Sequence, residues 1–197
     1  MTKPPFPHQS DEYAALITRA AAGDARALER LLMQAQGVAY RFSRTVCGGP
    51  AEAEDVMQEA LLKTFRHVKR IRDPQAFRTW LYRTVRNACL MRRRRKVGEP
   101  ERVLSLDDVL PSGNAAGASD PSGSARDPEA QALNAALRRR LRKALRALPP
   151  SYRTIVFLRE MEGLSTRETA DVLNVSESNV KMRLHRARLF LRKELED

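Results

Sequence analysis

Disulfide frameworks, zinc sites and membrane spans leave compositional marks, and this 197-residue chain carries few of them. Its two cysteines, Cys47 and Cys89, form no CxxC pair and no cysteine–histidine cluster. A disulfide scaffold and a structural zinc site are therefore both poorly supported. His8, His67 and His185 are far apart in sequence and make no ligand set, so no metal site is expected. No uninterrupted apolar run approaches the roughly 18–20 residues that cross a bilayer. Residues 1–7 lack the apolar core of a signal peptide, so neither membrane insertion nor export is expected, and the cytoplasm is the expected compartment. Strand signals are nearly absent. Thr154 to Leu158 is the one β-like run, and it sits inside a helical pattern. Aromatics are scarce at 6%, but the apolar set reaches 42%, enough for small packed cores and against whole-chain disorder.

What the chain has is positive charge, unevenly placed. The net charge is +12, from 36 Lys+Arg against 24 Asp+Glu. Residues 1–97 hold +10, residues 98–128 hold −4, and residues 129–197 hold +6. Two basic blocks flanking an acidic connector suit a polyanionic partner, because each neutralised phosphate releases counterions. The connector, Gly98 to Pro128, has four Gly, four Pro and five Ser in 31 residues. Such a composition cannot bury enough apolar area to offset its ordering entropy. Its exception is the apolar–acidic patch Val103 to Leu110. Fully extended, the connector reaches about 100 Å, so the two blocks could bind one duplex at separated sites.

Both blocks read as helical. Ser10 can cap a first helix ending at Gly23, and Asp24 a second running to about Cys47. Pro50 opens a third, to about Arg70. Asp73-Pro74 opens a fourth that runs into Arg92–Lys96. In the second block, Asp127-Pro128 repeats that start signal for a helix ending near Leu148-Pro149-Pro150. Ser151 begins another, closed by Gly163. Ser165-x-x-Glu168 is a capping box for a short helix, and Ser176 caps the last.

Four constellations carry chemistry. From Leu164 to Arg188, a short helix with Ala170 on its inner face meets Asn174, which tolerates a left-handed backbone, and then a long helix wedged by Val175, Val180 and Leu184. That is the spacing of a helix-turn-helix. The second helix shows Ser178, Asn179, Lys181, Met182, Arg183 and Arg186 on its other faces, as a groove-reading helix needs. In the third helix, Asp55, Gln58, Glu59 and Leu62 form one stripe. An acidic–polar stripe in a basic block fits a basic protein surface better than DNA. The fourth helix carries an amphipathic core stripe of Phe77, Trp80, Leu81, Thr84, Val85 and Ala88. Its other face shows Arg78, Arg83, Arg86, Asn87 and the Arg92–Lys96 run, which suit a phosphate backbone. Finally, the basic loop His67 to Asp73 lies at the mouth of that face, where an unstacked base could be held.

Glu54-Asp55-Val56-Met57-Gln58-Glu59, followed by Phe77-Arg78-Thr79-Trp80-Leu81-Tyr82-Arg83-Thr84-Val85-Arg86-Asn87, resembles the second conserved region of bacterial sigma factors. Leu148-Pro149-Pro150-Ser151-Tyr152-Arg153, with Glu162 to Ser165 and Val180 to Arg188, resembles their fourth region. The resemblance covers about residues 10–96 and 129–195. It is closest to the extracytoplasmic-function (ECF) group, which has only these two regions joined by a linker.

The resemblance implies an all-α protein of two small helical domains, 1–97 and 129–197, joined by a flexible acidic linker over 98–128. It implies a subunit with no catalysis of its own and no cofactor, which binds core RNA polymerase, finds promoter DNA and helps open it, in response to a stress or envelope signal. Family analogy adds an anti-sigma factor to the partners. By resemblance, Asp55, Gln58, Glu59 and Leu62 dock on the polymerase clamp. Arg70, Ile71, Arg72, Asp73 and Gln75 form the pocket for a flipped minus-ten base, with Arg83, Arg86 and Asn87 on the adjoining helix. Ser176, Ser178, Asn179, Lys181, Met182, Arg183 and Arg186 meet the minus-thirty-five element. Asp107 and Asp108 sit where family linkers thread towards the polymerase cleft. Met182 stands where a small polar residue is common, Ile71 where some members have an aromatic, and Thr169 where an Ile is usual, which predicts a slightly looser helix pair. Two other readings compete. A polymerase-independent regulator would leave the Asp55–Glu59 stripe unexplained. A nuclease would need clustered carboxylates, and only Asp55 and Glu59 are close on one face.

Overall fold

The computed structural model describes residues 11–47, 49–71, 73–95 and 128–196, which form eight α-helices and no strand. Helix α1 (Asp11–Ala21) stops at Gly23, whose φ of 97° is a left-handed backbone that glycine adopts without steric cost. Asp24 then caps α2 (Ala25–Val46), its carboxylate accepting from the Ala27 amide at 3.0 Å. Pro50 occupies the first turn of α3 (Pro50–His67), which tightens into a 3₁₀ turn at Val68–Arg70. Pro74 begins another 3₁₀ turn, Pro74–Ala76, and the α-helix starts only at Phe77. The start expected at Asp73-Pro74 is thus displaced by three residues. Helix α4 runs Phe77–Arg95.

The second block follows its cap signals closely. Helix α5 is Pro128–Ala147, and α6 is Pro150–Val156, prolonged by one π-turn over Phe157–Met161. Helix α7 (Thr166–Leu173) has the complete capping box: Ser165 Oγ accepts from the Glu168 amide, and Glu168 accepts from the Ser165 amide. Asn174 takes φ 50° and ψ 53°, the left-handed turn expected of it. Helix α8 is Glu177–Glu196, and Ser176 Oγ accepts from the Asn179 amide at 3.2 Å.

Each lobe has a core built from these helices. In the first, Leu31, Ala35, Val38, Ala39 and Phe42 of α2 meet Ala53, Val56, Met57 and Ala60 of α3 and Phe77, Leu81, Val85 and Ala88 of α4, all buried. Trp80 is half-buried against that core, as the amphipathic stripe predicts. In the second, Leu148, Ile155, Leu158, Leu164, Val172, Val180, Leu184 and Ala187 are buried. Buried Arg153 donates to the carbonyls of Leu145, Arg146 and Leu148, satisfying the end of α5 that would otherwise lack partners.

One expectation needs correction. Cys47 and Cys89 are joined by a disulfide, with Cα atoms 5.3 Å apart, although no spacing in the sequence signals it. The bond ties the C-terminal end of α2 to α4, a proximity created by tertiary packing alone. The two helical lobes also pack against each other. Helix α4 packs on α7 and α2 on α6, so one continuous buried cluster crosses both lobes. Ser10, Gly48, Arg72 and residues 96–127, with the acidic patch at Asp107 and Asp108, lie outside the described residues.

Candidate nucleic-acid and protein interfaces

The α3 stripe is on the surface. Asp55 and Gln58 are exposed, Glu59 is half-buried, and Leu62 and Phe65 are 55% and 58% exposed. Acidic and apolar side chains therefore alternate along one free helix face. Glu59 accepts from Lys63 Nζ at 2.7 Å, an i,i+4 pair, and Asp55 accepts from Arg92 of α4 at 2.8 Å. Both pairs are partly solvated, so each is worth little and can be exchanged for a partner's cation.

The minus-ten candidates divide. Arg70 and Asp73 are exposed, and Ile71 is half-buried against the core. Ile71 thus closes the base of the loop and is not presented as a stacking platform. The backbone of Gln75 lies in the Pro74–Ala76 turn, and its side chain, like all of Arg72, falls outside the described residues. On α4, Arg83 and Asn87 are exposed and Arg86 is half-buried, its pKa lowered by burial. These three do share a face, but α7 sits opposite it. Arg83 donates twice to the carbonyl of Asp171, at 3.2 and 3.0 Å. A cavity of about 330 Å³ lies between Arg83, Arg86 and Asn87 on one side and Asp171, Asn174 and Val175 on the other.

The helix-turn-helix presents its second helix openly. Val180 and Leu184 are buried as the wedge, while Ser178, Lys181, Met182 and Arg186 are exposed, Met182 by 44%. Asn179 and Arg183 are half-buried. Ser178 Oγ is 3.0 Å from Ser176 Oγ, so the two hydroxyls fix each other at the helix start. Arg188, further along, pairs with Glu160 and so braces α8 on the preceding turn. Thr169 is fully buried, and its hydroxyl has no hydrogen-bond partner.

The contact between the lobes was not foreseen. Tyr82 flanks the buried face of α4 beside Val85 and Cys89 and is completely buried. Its ring packs edge-on against Phe42 at 4.9 Å, and Phe42 stacks on Phe157 at 5.7 Å. The Tyr82 hydroxyl donates to Glu162 Oε2 at 2.6 Å, and Arg41 approaches the same carboxylate at 3.8 Å. Burial raises the Glu162 pKa, while Tyr82, Arg41 and Arg78 act against that rise. Burial, then the charge of Glu162, pushes Tyr82 well above its ordinary value. The available signal was that Tyr82, Val85 and Cys89 fall at i, i+3 and i+7 and widen the apolar stripe of α4.

Among the described residues no group of His, Cys, Asp or Glu could hold a metal ion, and no helix is long and apolar enough to cross a membrane. Residues 28–98 match the family described as sigma-70 region 2, and residues 138–191 match sigma-70 region 4. The chain is 33% identical over 178 residues to the ECF RNA polymerase sigma factor SigM of Mycobacterium tuberculosis, covering 90% of this chain and 82% of that protein. It is 30% identical over 158 residues to the ECF RNA polymerase sigma factor SigW of Bacillus subtilis, covering 80% and 83%. Among solved structures it resembles CnrH in complex with the cytosolic domain of CnrY, at 25% identity and TM-score 0.57, covering 94% of this chain and 98% of that one. The fold is also that of the sigma factor RpoE in complex with the anti-sigma factor NepR from Bartonella quintana, at 19% identity and TM-score 0.59, covering 87% and 98%.

Proposed function

Because the chain belongs to the extracytoplasmic-function group of sigma-70 family RNA polymerase sigma factors, we propose a division of labour among its surfaces. The protein binds core RNA polymerase and promoter DNA and directs promoter-specific transcription initiation. It is an initiation factor rather than an enzyme. Residues 1–97 bind the polymerase and recognise and open the minus-ten element. Residues 98–128 link, and residues 129–197 read the minus-thirty-five element.

Within the first unit, the α3 stripe of Asp55, Gln58, Glu59 and Leu62 docks on a basic polymerase helix. Arg70, Ile71, Arg72, Asp73 and Gln75 frame a base that leaves the stack, and Arg83, Arg86 and Asn87 hold the neighbouring backbone. Within the second, Ser176, Ser178, Asn179, Lys181, Met182, Arg183 and Arg186 enter a major groove. The protein works in the cytoplasm, answers a stress or envelope signal, and is held by an anti-sigma factor until that signal arrives.

The observation that carries this reading is the pairing, in one chain, of an exposed acidic–apolar helix face with an exposed recognition helix behind a left-handed Asn174 turn. A repressor or activator acting alone has use for the second and none for the first. Charge reversal at Asp55 and Glu59 tests it. The double substitution Asp55→Arg/Glu59→Arg should abolish co-elution with core polymerase and leave duplex binding by the helix-turn-helix intact. Co-elution at wild-type strength would sink the assignment.

A further inference from the structure

We propose that the Cys47–Cys89 bond is a reversible modification: a thiol–disulfide couple whose oxidised form clamps the joint in front of α3 and strengthens the docking of that helix on core polymerase. The inference rests on the reading of Asp55, Gln58, Glu59 and Leu62 as the docking stripe.

Three observations support it. First, the bond is out of place as a structural staple. In the cytoplasm, where the chain is proposed to act, thiols are held reduced, and a disulfide there is as a rule transient and redox-sensing. The lobe already has a complete apolar core, with Leu31, Phe42, Val56, Phe77 and Leu81 each at most 1% exposed. Second, the bond borders a joint. Cys47 caps α2, its amide donating to the Ser43 carbonyl at 2.7 Å, and only Gly48 and Gly49 separate it from Pro50, where α3 begins. Gly49 has an extended backbone, φ −145° and ψ 162°, and a Cβ there would meet no atom within 4 Å. Neither backbone nor space requires glycine, so what it supplies is a loose joint. The disulfide anchors the near side of that joint to α4. Third, the clamp and the docking stripe meet on α4. Cys89 and Arg92 are one turn apart, at i and i+3, and Arg92 donates to Asp55 of the stripe at 2.8 Å. Without the bond, α3 stays packed through Val56, Met57 and Ala60. The turns before them, and Asp55 with them, then move against α4 more freely. Oxidation removes that freedom in advance, so less order has to be imposed when the stripe docks.

The chemistry balances with a low-molecular-weight disulfide as oxidant. The Cys47 thiolate attacks one of its sulfurs and the other leaves as a thiol. The Cys89 thiolate then displaces the second thiol from the mixed disulfide. The protein gives up two electrons and two protons, and the small disulfide becomes two thiols. Cys47 reacts first because it lies at a helix end, whereas Cys89 lies inside α4. Both are at most 1% exposed, so exchange waits on local opening of that end and is slow.

The test equilibrates the full-length protein in mixtures of reduced and oxidised glutathione, as wild type, Cys47→Ala/Cys89→Ala and Gly49→Ala. Alkylation of the quenched, denatured protein counts its free thiols, which should fall from two to none as the mixture becomes oxidising. The oxidised wild type should bind core polymerase roughly tenfold more tightly than the reduced one, the ratio expected when about one residue's backbone freedom no longer has to be lost. The double variant should show no dependence on glutathione, which separates this couple from the polymerase's own cysteines. Gly49→Ala stiffens the joint and should bring the reduced form closer to the oxidised one. A bond that glutathione never reduces in the folded protein, or equal affinity of the two forms, would overturn the proposal. Absence of core binding by every form would count against the docking reading; the thiol count and a higher melting midpoint of the oxidised form would then still decide the couple.

Discussion

Glu162 is a carboxylate placed where water is excluded, and its protonation therefore reports on whether the lobes are together. Tyr82 and Arg78 of α4 and Arg41 of α2 face it. Its pKa is raised above the ordinary 4.5 when buried, so the closed form holds the proton more tightly than the open form. The contribution to closure is fully present below the ordinary value and is lost as pH rises through the raised one. Tyr82 titrates well above its ordinary value and so far above Glu162. Lowering the pH should thus favour the contact between the lobes, read as the radius of gyration in solution scattering against pH, and Glu162→Gln should flatten the dependence. A second residue has a simpler consequence. The buried hydroxyl of Thr169 has no partner, so Thr169→Val should stabilise the C-terminal lobe by about 1 kcal/mol and raise the thermal midpoint by about 2–4 °C. The substitution for Ile was readable in the sequence. The orphaned hydroxyl was not, because it depends on what surrounds the side chain.

At the scale of elements, caps and breakers carried most of the legible information. Asp24, Pro50, Ser165, Asn174 and Ser176 each sit at the helix boundary their chemistry implies. The failures are tertiary. No local pattern announces that Cys47 at the end of α2 meets Cys89 on α4, or that the Tyr82 hydroxyl meets Glu162 of the other lobe. The disulfide closes a 42-residue separation. Its reduction should lower the stability of the first lobe by about 2–4 kcal/mol, visible as a lower melting midpoint in reductant. Helix α8 yields a sharper prediction. Lys181 and Arg183 point about 200° apart and cannot both reach base edges. Lys181 and Met182 are exposed beyond the Ser176 cap, whereas Arg183 is half-buried. Substituting Ser178, Lys181 or Met182 should change the preferred minus-thirty-five sequence, each lost base contact costing about 1–3 kcal/mol. Substituting Arg183 or Arg186 should weaken all sequences alike. Binding-site selection decides it: a motif unchanged by Lys181→Ala and rewritten by Arg186→Ala would reverse the two faces.

For the whole molecule, the charge of +12 is a poor guide to a single DNA-binding surface. Part of it is spent internally: Arg92 on Asp55, Arg188 on Glu160, Arg153 on the end of α5. What distinguishes the account from that of a free-standing DNA-binding protein is dependence on the polymerase. The α3 face leaves acidic and apolar groups exposed together, which is what docking on a basic polymerase helix, as proposed, would use. The most direct measurement is run-off transcription on sheared genomic DNA with purified core polymerase and the wild-type chain or its Asp55→Arg/Glu59→Arg variant. The account predicts discrete start sites that need both core and wild-type chain and disappear with the variant. Equal start sites from the variant, or none from the wild type with active core enzyme, would contradict it.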